Sequence, residues 1–307
     1  MGRPIACHCD RQRGSSLAEL LVSLAISSLL LLGVFGSMQQ LRQSSRAADN
    51  LHILEEKARF VLDLLRADIR SAGFWGLSSD PGALRVAAGT SIRCGGTDIG
   101  AWAFRFESYV AAAGSWPLPC PPHRNARQPE TDVLEIRRAG RATTGVDSRR
   151  LQVHSSRREG VVFSAGSPPA LEGETELRDL VVHAWYVAAR SSHESGEPSL
   201  RRKTLVRGGS LRDEEILSGV EDLQVRLALD VDGDGWADRV IDPGAPAASG
   251  ARVVAVRFWL LLRHDSAETG YADARTYAYA DRAARSFDDS RRRLLVAGSE
   301  MVANARR

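Results

Sequence analysis

The chain has 307 residues, of which 43% are hydrophobic and 26% charged, and its formal net charge is +3. These values exclude a disordered, collagen-like or multi-span membrane chain and leave a folded body of one or two domains. The 41 basic residues, all arginine except Lys57 and Lys203, are spread along the chain against 38 acids, so nothing in the charge demands a polyanionic partner.

In chain order, Met1 to Gly14 carries Arg3, Arg11 and Arg13 against Asp10. From Ser15 the chain reads SSLAELLVSLAISSLLLLGVFG, with no charge between Leu20 and Gly36. A bilayer core takes about 17 to 25 apolar residues, so residues 17–36 read as a membrane helix. The preceding arginines place residues 1–14 in the cytoplasm and the large body on the far side. The run ends in GVFGS without an A-x-A pattern, so an ordinary secretory cleavage site is not supported. Glu19 stands at the edge of the apolar run, where an unpaired charge costs about 2.5 to 3.5 kcal/mol, and therefore needs a partner. An uncleaved signal anchor with an incidental Glu19 is the plain alternative.

Arginines, then Gly14 and Ser15, then Glu19 at the head of an unbroken apolar helix: this order resembles the class III leader of type IV prepilins and pseudopilins. The resemblance implies that a prepilin peptidase cuts between Gly14 and Ser15, removes residues 1–14 and leaves an N-terminus for methylation. The family's usual first mature residue is phenylalanine, and Ser15 stands there instead. It also implies that Glu19 pairs with the free amino group of a neighbouring subunit as helices leave the lipid, neutralising both charges. Cys7-His8-Cys9 falls in the discarded leader and is given no role.

No proline interrupts the chain from Pro4 to Pro81, and Leu51, Leu54, Ala58, Val61, Leu65, Ile69 and Ala72 recur at helical spacing. One helix is therefore expected from the membrane segment to Gly73, which stops it. At about 1.5 Å per residue it would reach on the order of 85 Å. Glu55 with Arg59, and Arg59 with Asp63, are placed to pair along its solvent side. The stretch EKARFVLDLLRADIRSAGFWG, Glu56 to Gly76, resembles the PilW family of type IV pilus minor pilins in its ARF-x-L-x-x-L-x-x-D-x-R helix and A-G-[FY]-W-G turn.

Beyond residue 76 the pattern turns to strands. The candidates are residues 101–110, 131–137, 180–188, 203–207, 220–229, 252–263, 276–280 and 292–296, several alternating at period two. Gly/Ser/Pro-rich connections separate them, and no helix is long enough for a βαβ crossover. The expected fold class is α+β: a long N-terminal helix packed on an antiparallel sheet, pilin-like. The expected organisation is leader 1–14, helix 15–73 and a β-rich globular domain 74–307.

Once the leader is removed, Cys94 and Cys120 are the two cysteines of the exported body, and an oxidising compartment suggests one disulfide beside the prolines at 117, 119, 121 and 122. Two free buried thiols are the alternative. The six tryptophans read as core, and the arginine clusters at 201–202 and 291–293 as a solvated face.

Asp230-Val-Asp-Gly-Asp-Gly-Trp-Ala-Asp238 is the strongest chemical constellation. Asp230, Asp232 and Asp234 at alternate positions, Gly235, the Trp236 carbonyl and Asp238 match the first part of an EF-hand loop, so Ca2+ is the expected ion. Ile241 replaces the closing glutamate, with Asp242 next to it, and the flanks read as strands, giving a strand-loop-strand site. An ion-free Asp/Gly hairpin turn is the alternative. PilW-like sequences carry a similar turn after a V-E-D-L-Q-V strand, matched here by Val220 to Val225.

There is no G-x-S-x-G, H-E-x-x-H, P-loop or G-x-G-x-x-G pattern, and an enzyme is not expected. The resemblance implies a non-catalytic minor pilin that primes pilus assembly or sits near the tip. Its implied partners are other minor pilins, the major pilin, the prepilin peptidase, inner-membrane assembly machinery and, before assembly, membrane lipid. No nucleic acid is expected. A type II secretion minor pseudopilin and a membrane-anchored calcium-binding adhesion module remain as alternatives.

Overall fold

The computed structural model describes residues 16–164, 166–193, 196–245 and 250–305. It divides into two compact units, Met1–Asn50 and Leu51–Arg307. The first long helix, α1, runs Leu17–Ser71. In the first unit every described side chain from Leu17 to Arg42 is exposed, including Leu17 at 77% and Leu29 at 69%. The mean hydropathy of this stretch reaches 2.3, long and apolar enough to cross a membrane.

In the second unit the remainder of α1 is followed by β1 (Leu84–Val86), β2 (Arg93–Cys94), β3 (Thr97–Asp98), the short helix α2 (Gly100–Ala103) and β4 (Val110–Ala113). Then come β5 (Val133–Ala142), β6 (Gln152–Ser155), β7 (Gly160–Phe163), β8 (Glu176–Ala188), β9 (Ser199–Val206) and β10 (Ser210–Ser218). The chain finishes with β11 (Val220–Asp230), β12 (Arg239–Ile241), β13 (Arg252–Arg263), β14 (Thr276–Tyr277), β15 (Arg285–Ser286) and β16 (Arg293–Met301). The first ten strands form one sheet with β8 at its centre, pairing with β5, β6 and β9. A second sheet has the order β12-β11-β13-β16, and β14 pairs with β15. The pairing is antiparallel except for two short parallel contacts, β1 with β7 and β10 with β2.

The α+β class expected from the pattern is what the chain adopts. Leu54, Ala58, Val61, Leu65 and Ile69 of α1 are at most 3% exposed and share one hydrophobic core with residues of both sheets. Each such aliphatic side chain stabilises the fold by about 1.5 to 3 kcal/mol. The helix stops where expected, since Gly73 takes φ +69° with the Tyr109 ring against it, a conformation that strains any residue carrying a Cβ.

Several details differ from the sequence pattern. Residues 101–110 are not a strand: Asp98 accepts from the Gly100 N–H at 2.7 Å and opens the turn of α2, and the chain becomes extended only at Val110. The apolar residues there are buried from the short helix α2 and the loop after it rather than from a pleat, with Trp102 and Ala103 at 1% and 0% exposure and Phe106 at 6%. On α1 the solvent-side pairs are His52 with Glu56 at 3.4 Å and Asp63 with Arg66 at 4.0 Å, rather than those centred on Arg59. Trp236 is 66% exposed. The arginine clusters are not a solvated face either. Arg201 is buried between Asp213 and Glu215, both at 2.7 Å, and Arg293 is buried against Glu221 and Asp289, both at 2.7 Å.

Candidate functional site at the helix start, the helix end and the aspartate hairpin

Gly14 and Ser15 lie outside the described residues, as do Cys7 to Cys9. The first described residue, Ser16, caps α1. Its hydroxyl accepts from the Glu19 N–H at 3.2 Å, and the Glu19 carboxylate accepts from the Ser16 N–H at 3.0 Å. This reciprocal pair is a capping box, legible as Ser16-x-x-Glu19 though not read that way from the apolar pattern. It gives Glu19 hydrogen-bond partners and the favourable end of the helix dipole, while its side chain stays exposed. A carboxylate in that position is available to a cation arriving from outside the chain.

The helix-end motif is a structural junction. Asp68, 5% exposed, accepts from the Trp185 indole at 2.8 Å, bonds His183 Nδ1 at 2.7 Å and meets Arg138 at 3.4 Å. One carboxylate thereby ties α1 to β5 and β8. Trp75 is fully buried, edge-on to Phe106 at 5.2 Å, and Phe74 lies under the Arg178 guanidinium at 4.7 Å. The disulfide joins Cys94 to Cys120 with their Cα atoms 5.8 Å apart, pinning the proline-rich loop to β2.

The aspartate hairpin connects β11 to β12, so the flanks are strands. One carboxylate oxygen from each of Asp230, Asp232 and Asp238 lies within 4.8 Å of the others. That spacing fits a hard cation whose oxygens stand at about 2.3 to 2.6 Å. Asp234 is not part of this cluster; its carboxylate accepts from the Trp236 N–H at 2.7 Å. Asp230, 3% exposed, already accepts from the Gly233 and Gly235 N–H groups at 2.7 and 2.9 Å, and Asp238 accepts from Val231 at 2.7 Å. Asp242 pairs with Arg226 at 2.5 Å, turned to a strand arginine rather than to the loop. The donor set is thus three of the four expected carboxylates, on a loop braced by its own backbone.

Residues 9–35 match the family described as Prokaryotic N-terminal methylation motif, and residues 184–304 match the family described as Type IV Pilus-assembly protein W, PilW. The second match begins within β8 and takes in the whole second sheet and the aspartate hairpin. Among curated proteins none is significantly similar to this chain. Among solved structures, the Type IV-like pilin TTHA1219 from Thermus thermophilus is 15% identical over 85% of this chain and 98% of its own, with a TM-score of 0.39.

Proposed function

We propose, for a chain that carries a PilW domain and the prepilin-type N-terminal methylation motif, that it is a minor pilin acting in type IV pilus assembly or near the pilus tip. In this reading its role is structural rather than catalytic. The carrying observation is the conjunction at the N-terminus: a methylation motif over residues 9–35 and an apolar helix without buried side chains from Leu17 to Arg42. At the head of that helix stands Glu19, capped and exposed. Before assembly the apolar helix lies in the inner membrane with the globular body periplasmic. During assembly its lipid contacts are replaced by other subunits' helices, and Glu19 meets the free amino terminus of a neighbour. The peptidase that exposes that terminus, other minor pilins and the major pilin are its partners.

The intact mass of the protein recovered from a membrane containing a prepilin peptidase tests this. A chain that starts at Ser15 is expected; one that starts at Met1, or beyond Gly36, overturns the subunit reading. Glu19→Ala should then leave export intact and reduce incorporation into filaments, and normal piliation would remove the assigned role of the carboxylate.

The convergence of three carboxylates supports a second proposal, a calcium site held by Asp230, Asp232 and Asp238. Calcium added to the full-length protein in detergent should raise the melting temperature and change Trp236 fluorescence, with both responses lost in Asp232→Asn/Asp238→Asn. No response in the parent protein would leave the hairpin as an ion-free turn.

A further inference from the structure

Part of the large sheet's α1-side face stays open. On β8, Asp179, Val181 and His183 share one face by strand alternation, and the bond from His183 to Asp68 sets α1 against that face. The face also holds a groove of about 820 Å3 between residues 140–147, β8 and the end of β9. A second depression of about 510 Å3, on β9 and β10, joins it through Arg150, Thr204, Leu205 and Arg207.

The combined walls carry Arg138, Arg141, Arg150, Arg202, Arg207 and Arg212. Arg138 is taken up by Asp68 of α1 at 3.4 Å, and three carboxylates of the lining oppose the other five, each drawn among the arginines. Asp147 meets Arg150 at 3.5 Å and Arg207 at 3.2 Å, while Asp179 meets Arg150 at 3.0 Å. Glu214 is shared between Arg202 and Arg212 at 3.1 and 3.0 Å. Arg141 is exposed and enters no salt bridge among the described residues. Guanidinium forks therefore outnumber the acids that occupy them, and the groove keeps a surplus of positive charge and of N–H donors. The chemistry that satisfies such forks is a set of carboxylates, taken up bidentately.

A protein segment fits this lining better than a phosphate polymer. Asp147, Asp179 and Glu214 would repel a continuous line of phosphates. Neither depression is lined by Phe, Tyr or Trp, so a nucleic-acid base has no ring to stack on. Val181 and Leu205 supply apolar floor for the stems of acidic side chains. We propose that this groove docks an acidic segment of a neighbouring protein subunit, a partner class that rests on the filament-subunit reading above.

The test uses full-length protein in detergent and the anisotropy of three labelled probes: a Glu/Ser peptide, a Lys/Ser peptide and a DNA duplex. The acidic peptide should bind, more weakly as salt rises, and Arg141→Glu/Arg207→Glu should weaken it about tenfold or more. If that pair lowers the melting temperature, Arg141→Glu/Arg212→Glu replaces it, both arginines being exposed. Equal affinity for parent and charge-reversed protein, no binding of the acidic peptide, or tighter binding of DNA overturns the proposal. In cells, a charge-reversed chain that starts at Ser15 and still assembles normally removes the groove and leaves the subunit reading standing. A chain that starts at Met1 removes the subunit reading, while the peptide measurement still decides whether the groove takes carboxylates.

Discussion

Asp68 is a buried carboxylate whose neighbours set its charge. Burial pushes its pKa up, but His183, Arg138 and Trp185 more than reverse that and hold it at about 2, against the ordinary 3.8. The folded value lies below the unfolded one, so the stabilisation is present above about pH 4 and is lost as pH falls toward 2. At 1.36 kcal/mol per pKa unit this is about 2 kcal/mol at neutral pH. Asp68→Asn should therefore destabilise the body by about 2 to 4 kcal/mol and flatten the acid side of a plot of melting temperature against pH. An unchanged acid side would show that another carboxylate sets it. Asp132 has the opposite sign. Burial raises its pKa, with Asp281 and Asp222 adding to the rise and the Val225 N–H and Arg127 opposing it, to about 7. Its ionisation costs stability as pH climbs from about 4 to 7. Asn keeps an acceptor for the Val225 N–H, which lies 2.8 Å from the carboxylate. Asp132→Asn should raise the melting temperature near pH 8 and change it little near pH 4. Asp68 stands out in the sequence within a motif, whereas Asp132 does not, because the Val225 N–H it accepts from lies 93 residues away. Arg201 and Arg293 read as solvated from their clusters, since clustering does not show that Asp213 and Glu215 on the next strand, or Asp289 and Glu221, bury and pair them.

At the scale of the element, period-two alternation located the long strands that carry the sheets, β5, β8, β9, β11, β13 and β16. It missed β6 and β7, four residues each, where the pleat is too short to show a period. It also missed β10, whose alternation is hidden because charged and apolar side chains are alike half-buried. The apolar residues of 101–110 imitate a strand because a single helical turn and the packed loop after it bury the same residue types. The aspartate hairpin was legible as a strand-loop-strand unit, whereas the exclusion of Asp234 followed from its Asx bond to Trp236, which spacing does not encode. On β16, Gly298 lies directly on the buried Phe258 ring of β13, so a Cβ would meet the ring rather than open space. Gly298→Ala should cost about 1 to 3 kcal/mol in a denaturant titration. A neutral result would mean that the ring has room to tilt.

Considered whole, the chain separates into a unit with an apolar helix and a unit with its own core, and the boundary between Asn50 and Leu51 falls inside α1 rather than at its end. The sequence pattern divides the chain as leader 1–14, helix 15–73 and body 74–307, and its amphipathic stripe from Leu51 to Ile69 reads as the half that packs on the sheet. Leu54 to Ile69 fill the sheet-bearing unit, so a chain beginning at Arg46 should be soluble, melt cooperatively and retain the Cys94 to Cys120 bond. Aggregation of that chain in gel filtration would show that the second unit does not fold alone.

The second half of α1 is fastened to both sheets. Asp68 holds β8, Lys57 holds Asp265 at 2.6 Å just after β13, and Arg70 holds Glu300 of β16 at 2.9 Å. The tail after β16 returns to the same helix end, with the Ala303 N–H donating to the Arg70 carbonyl and the Asn304 side chain to that of Ala72, both at 3.1 Å. Tension applied along the helix would load these fastenings side by side rather than one after another. Rupture then requires several to fail together, and the body resists being stripped from its own helix under pull.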